Sequence, residues 1–512
     1  MVATARSVAV VGLRAVTVTV EAHVGPGLPG FHIIGSSGSA AREAADRVRT
    51  ALASLGVFLP SRKVLVSLAP ADVPKAGARF DLAMAAAVLG ELGRVGGQAL
   101  DACALLGELA LDGAVRPVPG TLPSAAALPP RGVRRVLVAA TDAPEAALVD
   151  GLQVVPVADL AEAVAVLRGD RPPRPVPDDV VCAPDTAAPD LADVRGQPEA
   201  RRALELAAAG GHHLLLLGPP GCGKSMLARR LPGILPRLTR DEALEVAAVR
   251  SVAGLLGEQA AGRPVLDRTP PLRAPHHAMS AAALLGGGSG VARPGEISLA
   301  HRGVLLLDEL FEWPRHVLDA LRQPLEEGVV RVARSRATVA YPARVRLVAA
   351  ANPCPCGGAD CACADEAIAA YRARLSGPLA DRLDLAPAVE PLRGGDLLAN
   401  DPDESSAVVM ARVAAARAQA VRRWGARGPA NAEASPAQLR AVTRRAALRA
   451  LAAAVDAGEL TGRGYDRTLR VARTCADLEG SRMVETSHVM EAIGHRMALR
   501  AGAGDGRATA AR

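Results

Sequence analysis

The spacing of apolar and polar residues along the chain predicts its first structural elements. Residues 16–24 alternate between apolar and polar side chains, which is the pattern of a half-buried strand. Residues 40–55 have apolar side chains at helical spacing. Further strands are predicted at residues 63–68, 136–139 and 152–157. The first 166 residues therefore predict a mixed α+β domain.

A change in composition separates this domain from the rest of the chain. Residues 167–190 are rich in proline and aspartate, as linkers often are. A second α/β region follows at 191–395, where residues 213–217 form the nearly continuous apolar run of a buried parallel strand. Residues 396–500 are rich in Ala, Arg and Leu at helical spacing, which predicts an all-helical domain before a flexible tail at 501–512.

Composition narrows the possible functions only slightly. Aromatic residues make up 2% of the 512 residues, so base stacking is not expected to be a main mode of binding. The net charge of +7 is compatible with nucleic acid as a partner, but solubility explains it equally well. The positive charge rests on arginine, because the only lysines are Lys63, Lys75 and Lys224.

Two observations place the protein in the cytoplasm. The N-terminus lacks a long apolar segment with a cleavage site, and no uncharged apolar run reaches the roughly 18 residues that span a membrane. We therefore expect a cytoplasmic protein without membrane contact.

Four cysteines lie close together in the second half of the chain. In the cytoplasm, clustered thiols favour a metal over disulfides, and four thiolates suit a structural Zn²⁺. The alternative is four reduced cysteines in a surface loop. The predicted ligands are Cys354, Cys356, Cys361 and Cys363.

A glycine-rich segment follows the apolar run 213–217 and matches the pattern G-x-x-x-x-G-K-[ST] before a predicted helix. Glycines let backbone N–H groups surround phosphate oxygens, and the positive end of the next helix faces them. Lys224 is expected to reach the β- and γ-phosphates of ATP, and Ser225 is expected to bind Mg²⁺. The predicted nucleotide-binding residues are Gly218, Pro219, Pro220, Gly221, Cys222, Gly223, Lys224 and Ser225.

Polar residues also end two later apolar strands. Asp308 and Glu309 follow the first, where Asp308 fits a carboxylate on the Mg²⁺ side and Glu309 fits the base that orients the attacking water. Asn352 follows the second strand and can hold that water in line. Arg382 stands between two acids, so it either forms a local ion pair or reaches the γ-phosphate of a neighbouring subunit.

A candidate DNA contact lies at residues 329–341, which have a strand–turn–strand pattern with arginines near the turn. In a ring, Arg331, Arg334 and Arg336 could follow the phosphates of DNA, giving affinity without sequence preference. A solvated hairpin face is the alternative.

Longer motifs surround these residues: VTVEAH at 18–23, GLPGF at 27–31, RAPHH at 273–277, LLGGGS at 284–289, RPGEISLAHRGVLLLDE at 293–309, RQPLEEG at 322–328 and NPCPCG at 352–357. Through them, essentially the whole chain resembles the magnesium-chelatase-like ATPases of the ComM/YifB family. This resemblance implies an AAA+ P-loop NTPase core, a parallel sheet flanked by helices, with an all-α C-terminal lid.

The resemblance also implies a function and roles for individual residues. It implies a homo-hexameric motor acting on DNA, similar to a helicase that drives branch migration when incoming single strands are integrated in natural transformation. It makes Asn352 the sensor-1 residue and Arg382 the arginine finger. Arg463 would be the sensor-2 residue at the start of a lid helix, with Arg467 and Arg470 nearby.

The first 166 residues resemble the protease domain of Lon, which has a ribosomal-S5-like fold. By that comparison Arg79 stands where the catalytic serine would be, and Leu122 where the lysine would be. No lysine lies between Lys75 and Lys224 to activate a serine, so we expect no proteolysis.

Two other functions share the predicted ATP site. The chain could be the ATPase subunit of a metal chelatase that inserts Mg²⁺ or another ion into a tetrapyrrole. It could also be an assembly or binding module regulated by ATP. The Lon-like domain and the cysteine cluster speak against the chelatase.

Overall fold

The computed structural model describes residues 2–36, 38–75, 77–177, 180–182, 189–256, 265–288, 291–334, 337–357, 361–391, 403–425 and 428–496. The predicted linker is described only in part, and Arg336 and the tail lie outside the described residues. Among the helices described, none is both long enough and apolar enough to cross a lipid bilayer.

The N-terminal domain is built on a seven-stranded mixed sheet. Its first two strands form a long antiparallel hairpin, and three parallel strands extend the sheet from one side of that hairpin. In sheet order the strands are Gly30–Ile34, Lys63–Ala69, Arg14–Gly25, Ala3–Val11, Cys103–Leu105, Arg135–Ala139 and Gln153–Val157. Two short strands of two residues each, Glu108–Leu109 and Val115–Arg116, pair in a separate antiparallel hairpin.

Helices cover this sheet with apolar faces. The helix Asp81–Glu91 is buried along most of its length and packs on the first two strands. The domain's helices are Gly38–Ser54, Asp81–Glu91, Gly97–Asp101, Thr121–Ala126, Ala143–Ala146 and Leu160–Arg168, with a short 3₁₀ helix at Pro129–Arg131. The last of these helices ends at Arg168, so it extends two residues into the segment 167–190 that the sequence assigned to the linker.

The central domain contains a four-stranded, all-parallel sheet. Three of its strands are almost fully buried, as their continuous apolar runs in the sequence require, and the edge strand Leu272–Arg273 is half-buried. In sheet order they are Leu214–Leu217, Arg346–Ala351, Val304–Leu307 and Leu272–Arg273. Val181–Cys182 pairs with Val265–Leu266 in a separate parallel ladder.

Helices and two hairpins surround the central sheet. The hairpins pair Gly286–Gly287 with Arg293–Pro294 and Val329–Arg334 with Ala337–Pro342. The helices are Pro198–Gly210, Lys224–Ala228, Leu231–Ile234, Arg240–Ala253, Ala281–Leu285, Glu296–Leu299, Arg315–Ala320, Arg322–Glu327, Asp365–Arg372 and Gly377–Ala380, with 3₁₀ helices at Leu191–Asp193 and Leu310–Glu312.

The C-terminal domain is helical and shares a hydrophobic core with the central domain. Its helices are Ser406–Trp424, Pro436–Ala441, Arg445–Asp456, Gly462–Leu478 and Thr486–Gly494, with a 3₁₀ helix at Asn431–Glu433. The shared core includes Leu204 and Leu214 on one side and Leu451 and Leu469 on the other. The predicted fold class, an α/β chain with a parallel central sheet and a helical C-terminal region, is confirmed.

The N-terminal and central domains meet at the helix Arg240–Ala253, which we call the junction helix. Apolar side chains of both domains form one cluster there, with Leu122 and Leu148 against Val246 and Ala247. Polar contacts reinforce it: the Gly120 N–H donates to the Ser251 carbonyl at 3.0 Å, and Ser251 Oγ donates to the carboxylate of Glu145. The N-terminal domain is thus fastened directly to the domain that carries the phosphate-loop motif.

Candidate ATP site and its surroundings

The strand order of the central sheet brings the predicted catalytic residues together. Leu217 pairs with Ala351, and Leu307 pairs with Ala349 on the other side of the same strand. Because the strands are parallel, the residues after their carboxyl ends meet at one edge of the sheet. Gly218, Asp308 and Asn352 each follow one of these strands, as the sequence suggested.

The phosphate loop, residues 218–225, encloses the ammonium group of Lys224. Its Nζ donates to the carbonyl oxygens of Gly218 at 2.7 Å and Pro219 at 2.6 Å, and to Asn352 Oδ1 at 3.1 Å. Lys224 and the predicted sensor Asn352 are therefore in direct contact. Lys224 is buried, so its positive charge lies inside the loop, at the place where the motif positions phosphate groups.

Two of its glycines set the path of the phosphate loop. Gly223 has a φ of +90° directly before the helix Lys224–Ala228, so the loop turns into the helix in a conformation that favours glycine. A Cβ on Gly218 would lie 2.2 Å from the Val389 carbonyl oxygen. Ser225 lies on the first turn of this helix, where its hydroxyl can serve a Mg²⁺ ion bound to the phosphates.

Glu309 has a strained backbone and a histidine partner. Its φ of +51° is unusual for a residue other than glycine, and its N–H donates to Asp308 Oδ1 at 3.0 Å. Its Oε2 lies 2.9 Å from His277 Nδ1, and the centroids of the His276 and His277 rings are 4.1 Å apart with the rings tilted by 35°. The sequence left the role of these histidines undecided. The structure places His277 where it fixes the predicted base.

The tryptophan behind the two acids supports the turn that carries them. Trp313 is fully buried, and its Nε1 donates to the Asp308 carbonyl oxygen at 3.0 Å. This hydrogen bond and the hydrophobic cluster around the indole hold the turn at the sheet edge. Asp308 and Glu309 are thereby presented toward the side of the sheet that carries Lys224.

Sequence reasoning missed Gln197. It lies just before the helix Pro198–Gly210 in a left-handed conformation, with a φ of +60°. Its Nε2 donates to the Glu390 carbonyl at 2.6 Å and to the Cys222 carbonyl of the phosphate loop at 3.4 Å. The segment Gly196–Gln197–Pro198 was a local turn signal, but only the fold shows that it braces the loop.

The predicted arginine finger and sensor-2 residue share a cavity of about 800 Å³. Arg382 bonds there to the carboxylate of Glu326 and donates to the Pro378 carbonyl at 3.1 Å. Arg463 starts the helix Gly462–Leu478 and lies 2.9 Å from Asp381. Arg467 and Arg470 line the same cavity, whereas none of the described residues 218–225 does.

A buried network joins this cavity to the central sheet. Asp384 accepts from Arg467 at 2.9 Å, and His212 bridges Asp384 at 3.3 Å and Thr474 at 2.8 Å. Burial alone would raise the pKa of Asp384, but the His212 hydrogen bond and the Arg467 charge outweigh it and hold that pKa well below its ordinary value. The helical domain is thus locked to the strand that leads into the phosphate loop.

Comparison with known proteins agrees with this geometry. Family models described as subunit ChlI of Mg-chelatase, as magnesium chelatase subunit ChlI and as its C-terminal part match residues 20–142, 190–397 and 403–496. An uncharacterised protein of Mycobacterium tuberculosis is 48% identical over 496 residues, covering 96% of this chain and 97% of the relative. YifB of Escherichia coli is 42% identical over 498 residues (95% and 96%), and the competence protein ComM of Haemophilus influenzae is 40% identical over 499 residues (96% and 96%).

The chain belongs to the ComM/YifB family of magnesium-chelatase-like AAA+ ATPases. Membership in this AAA+ class implies ATP and Mg²⁺ as cofactors. The phosphate loop fits this pair, because Lys224 supplies a buried positive charge and Ser225 places a hydroxyl on the first turn of the helix that follows.

The four cysteines of this family member lie together. Their sulfur atoms are all within 4.8 Å of one another, with Cys354 Sγ 3.4 Å from Cys356 Sγ and Cys356 Sγ 3.6 Å from Cys361 Sγ. Cys354 is buried, Cys363 is half-buried, and the other two are exposed. Four soft ligands at these separations can hold one metal ion.

The hairpin formed by Val329–Arg334 and Ala337–Pro342, the arginine hairpin, has two different faces. Val330, Val332 and Tyr341 are buried, and the Tyr341 hydroxyl donates to the Ala292 carbonyl at 2.6 Å. Arg331 is exposed on the other face and bonds to the carboxylate of Glu327, whereas Arg334 is exposed at the end of its strand, with its guanidinium next to Gly287.

The Lon-like position of Arg79 in the N-terminal domain is buried and close to Leu122. The Arg79 guanidinium donates to the carbonyls of Val8 and Pro119 and to Ser124 Oγ. Burial lowers the pKa of Arg79 to about 10, so it stays charged at neutral pH. Leu122 is buried against the junction helix. Neither Arg79 nor Leu122 supplies the hydroxyl nucleophile or the amine base that a Ser-Lys dyad needs.

Proposed function

We propose that this ATPase assembles into a cytoplasmic homo-hexameric ring that uses ATP hydrolysis to move along DNA. The exposed arginines of the arginine hairpin carry the proposal. Because one face of the hairpin is firmly packed, its backbone holds two exposed arginines, Arg331 and Arg334, in fixed places on the surface. Such charges bind phosphates without reading the bases, which suits a motor that moves along single-stranded or branched DNA. One of the relatives is a competence protein, which is consistent with DNA as the substrate.

The chain's own residues account for ATP hydrolysis. Lys224 and Ser225 would hold the phosphates and their Mg²⁺, with Asp308 on the metal side. Glu309 would accept the proton of the attacking water, and Asn352 would keep that water in line while remaining bonded to Lys224. His277 holds Glu309 in position before nucleotide binds.

A ring is supported by the separation of Arg382 from the phosphate loop of its own chain. Arg382 and Arg463 line a cavity that the loop does not reach. In a ring this cavity would face the triphosphate of the next subunit, where Arg382 would stabilise the charge that develops during phosphoryl transfer. Arg382→Ala should therefore abolish hydrolysis while sparing nucleotide binding.

Mixing two inactive variants tests the ring directly. Arg382→Ala and Lys224→Ala should each be inactive alone. When they are mixed, an interface that pairs the intact phosphate loop of one variant with the intact Arg382 of the other should regain activity. No recovery in mixed oligomers of confirmed composition would refute the shared site.

DNA stimulation of ATP hydrolysis tests the substrate. Single-stranded or forked DNA should raise turnover, and Arg331→Ala combined with Arg334→Ala should remove that stimulation while leaving basal turnover intact. Arg444→Ala, which removes another exposed arginine that pairs with Glu485 in the helical domain, is the control. Stimulation that survives in the double variant would refute the hairpin as the DNA contact.

A chelatase subunit is the second candidate, favoured by the descriptions of the matching family models. A tetrapyrrole with Mg²⁺, rather than DNA, would then stimulate hydrolysis. Hydrolysis that responds to neither would favour an ATP-regulated assembly module.

The N-terminal domain, with Arg79 and Leu122 in place of a dyad, serves assembly or DNA contact in our proposal. ATP-dependent cleavage of an unfolded protein substrate would contradict it.

We also propose that the cysteine cluster binds a structural zinc ion. Cys354, Cys356, Cys361 and Cys363 supply four sulfur ligands, which suit Zn²⁺ in a closed tetrahedral site. Elemental analysis of protein purified without a histidine tag should find about one zinc per chain. A content below about a tenth of an equivalent would reject the site.

A further inference from the structure

The cysteine cluster touches the phosphate loop at Gly357. This residue follows Cys356 directly and has a φ of +66°. A Cβ placed on it would lie 2.7 Å from Cγ of Pro220 and 3.6 Å from Nδ2 of Asn352. The backbone that leaves the cluster is therefore packed against the wall of the phosphate loop, at a distance that only glycine permits.

The other end of the cluster is joined to the same loop through a hydrogen bond. Asn352 lies two residues before Cys354 and accepts a hydrogen bond from Lys224 Nζ at 3.1 Å. Between them, the Pro353 carbonyl accepts from Arg372 Nε at 3.0 Å. Cys354 itself is almost completely buried. The six residues 352–357 thus contact Lys224 from one end and Pro220 from the other.

A metal on the four sulfurs would fix the path of this segment. Cys354 is buried, whereas Cys356 and Cys361 are exposed to solvent, so few packing contacts hold these two side chains. With the metal, Cys354 and Cys356 would be joined through the ion into a closed loop, which fixes the described residues between and beside them. Since Asn352 and Gly357 move with that loop, the metal would also fix the position of their contacts on Lys224 and Pro220.

We propose that metal binding at the cysteine cluster activates the ATP site allosterically, by holding Asn352 and Gly357 in the positions that shape the phosphate loop for nucleotide. This inference rests on the zinc site and the ATP site proposed above. Coupling between two sites is reciprocal, so bound nucleotide must tighten the metal by the same factor by which the metal tightens nucleotide. Typical coupling between sites predicts a factor of about 5 to 150.

Metal removal is the first test. Full-length protein is divided into zinc-loaded and chelator-stripped samples, zinc is counted by elemental analysis, and the affinity for a non-hydrolysable ATP analogue with Mg²⁺ is measured for both. We expect stripped protein to bind the analogue about 5- to 150-fold more weakly. Added zinc should restore the affinity, and the analogue should tighten zinc binding by the same factor.

A glycine substitution separates the contact from the metal. Gly357→Ala keeps all four sulfurs but forces a methyl group into Pro220, so zinc content should stay near one per chain while analogue affinity falls. Gly458→Ala is the matched control, because Gly458 has a similar φ of +72° and a Cβ on it meets no atom within 4 Å. It should leave both zinc content and analogue affinity unchanged.

The possible failures point to different parts of the argument. Wild-type protein that binds nucleotide but no zinc would refute the zinc site and this inference with it. Zinc-loaded and stripped samples with equal nucleotide affinity would refute the coupling and leave the zinc site standing. Loss of zinc in Gly357→Ala would refute the claim that the contact between Gly357 and Pro220 acts separately from metal binding. Absence of nucleotide binding in every sample would refute the ATP site.

Discussion

Replacing Glu309 by glutamine tests the assignment of the hydrolytic base, and the structure predicts the size of its effects. The amide keeps the shape of the side chain but cannot accept the proton of the attacking water. General-base catalysis contributes about 10²- to 10⁴-fold, which corresponds to about 3–5 kcal/mol in the barrier. The turnover number should fall by that factor.

Stability and nucleotide binding should change little in the same variant. The Glu309–His277 pair is 57% and 32% exposed at its two side chains. An ion pair as exposed as this is worth at most about 1 kcal/mol. The hydrogen bonds that hold Lys224 in the loop do not involve Glu309. Glu309→Gln should therefore bind ATP with nearly normal affinity and keep it bound unhydrolysed.

The assay combines phosphate release, binding of a fluorescent ATP analogue and thermal unfolding. Glu312→Gln is the matched control, because Glu312 lies three residues away, is similarly exposed and pairs with Arg374. It should keep near-normal turnover. The assignment is refuted if Glu309→Gln retains more than about a tenth of wild-type turnover. Such a variant would lose about tenfold or less, whereas a missing base should cost at least about 100-fold.

Three further predictions concern binding, stability and pH. Lys224→Ala should lose ATP binding and turnover, and unchanged turnover in a phosphate-release assay would overturn the ATP site. Asp384→Ala removes the buried carboxylate that pairs with Arg467 and bonds to His212, and should destabilise the protein by about 3–5 kcal/mol, seen as a lower midpoint in urea unfolding. An unchanged midpoint would show that the network carries no stability. Burial raises the pKa of Glu145 to about 7 from an ordinary 4.5, so the folded state binds this proton more tightly and stability should fall as pH rises between those values. Glu145→Gln should flatten that part of the pH profile, and an unaltered slope would exclude this group.

Local signals were enough to locate the phosphate loop and the strands around it. The motif 218–225 combines the glycines, the lysine and the hydroxyl that phosphate binding needs, and its neighbours along the chain supply the strand and the helix. The arginine hairpin was equally readable, because alternating burial follows alternating polarity along its strands. The close spacing of the four cysteines in sequence likewise brought their sulfurs together.

Contacts between distant segments could not be read in this way. The pairing of His277 with Glu309 depends on the order of the strands. Gln197 contacts the phosphate loop because its backbone adopts a left-handed conformation, which the sequence does not predict. Arg382 and Arg463 meet in one cavity because the helical domain docks beside the central sheet.

The sequence by itself determined which segment carries the phosphate-loop motif, where many of the strands and helices lie, and which cysteines can share a metal, because each of these depends on residues close together in the chain. Only the tertiary structure decided which of those segments touch. It placed Gly357 against Pro220, Asn352 against Lys224 and the junction helix against the N-terminal domain. The physical reason is that such contacts are set by strand order and by the packing of shared hydrophobic cores, which join residues far apart in sequence.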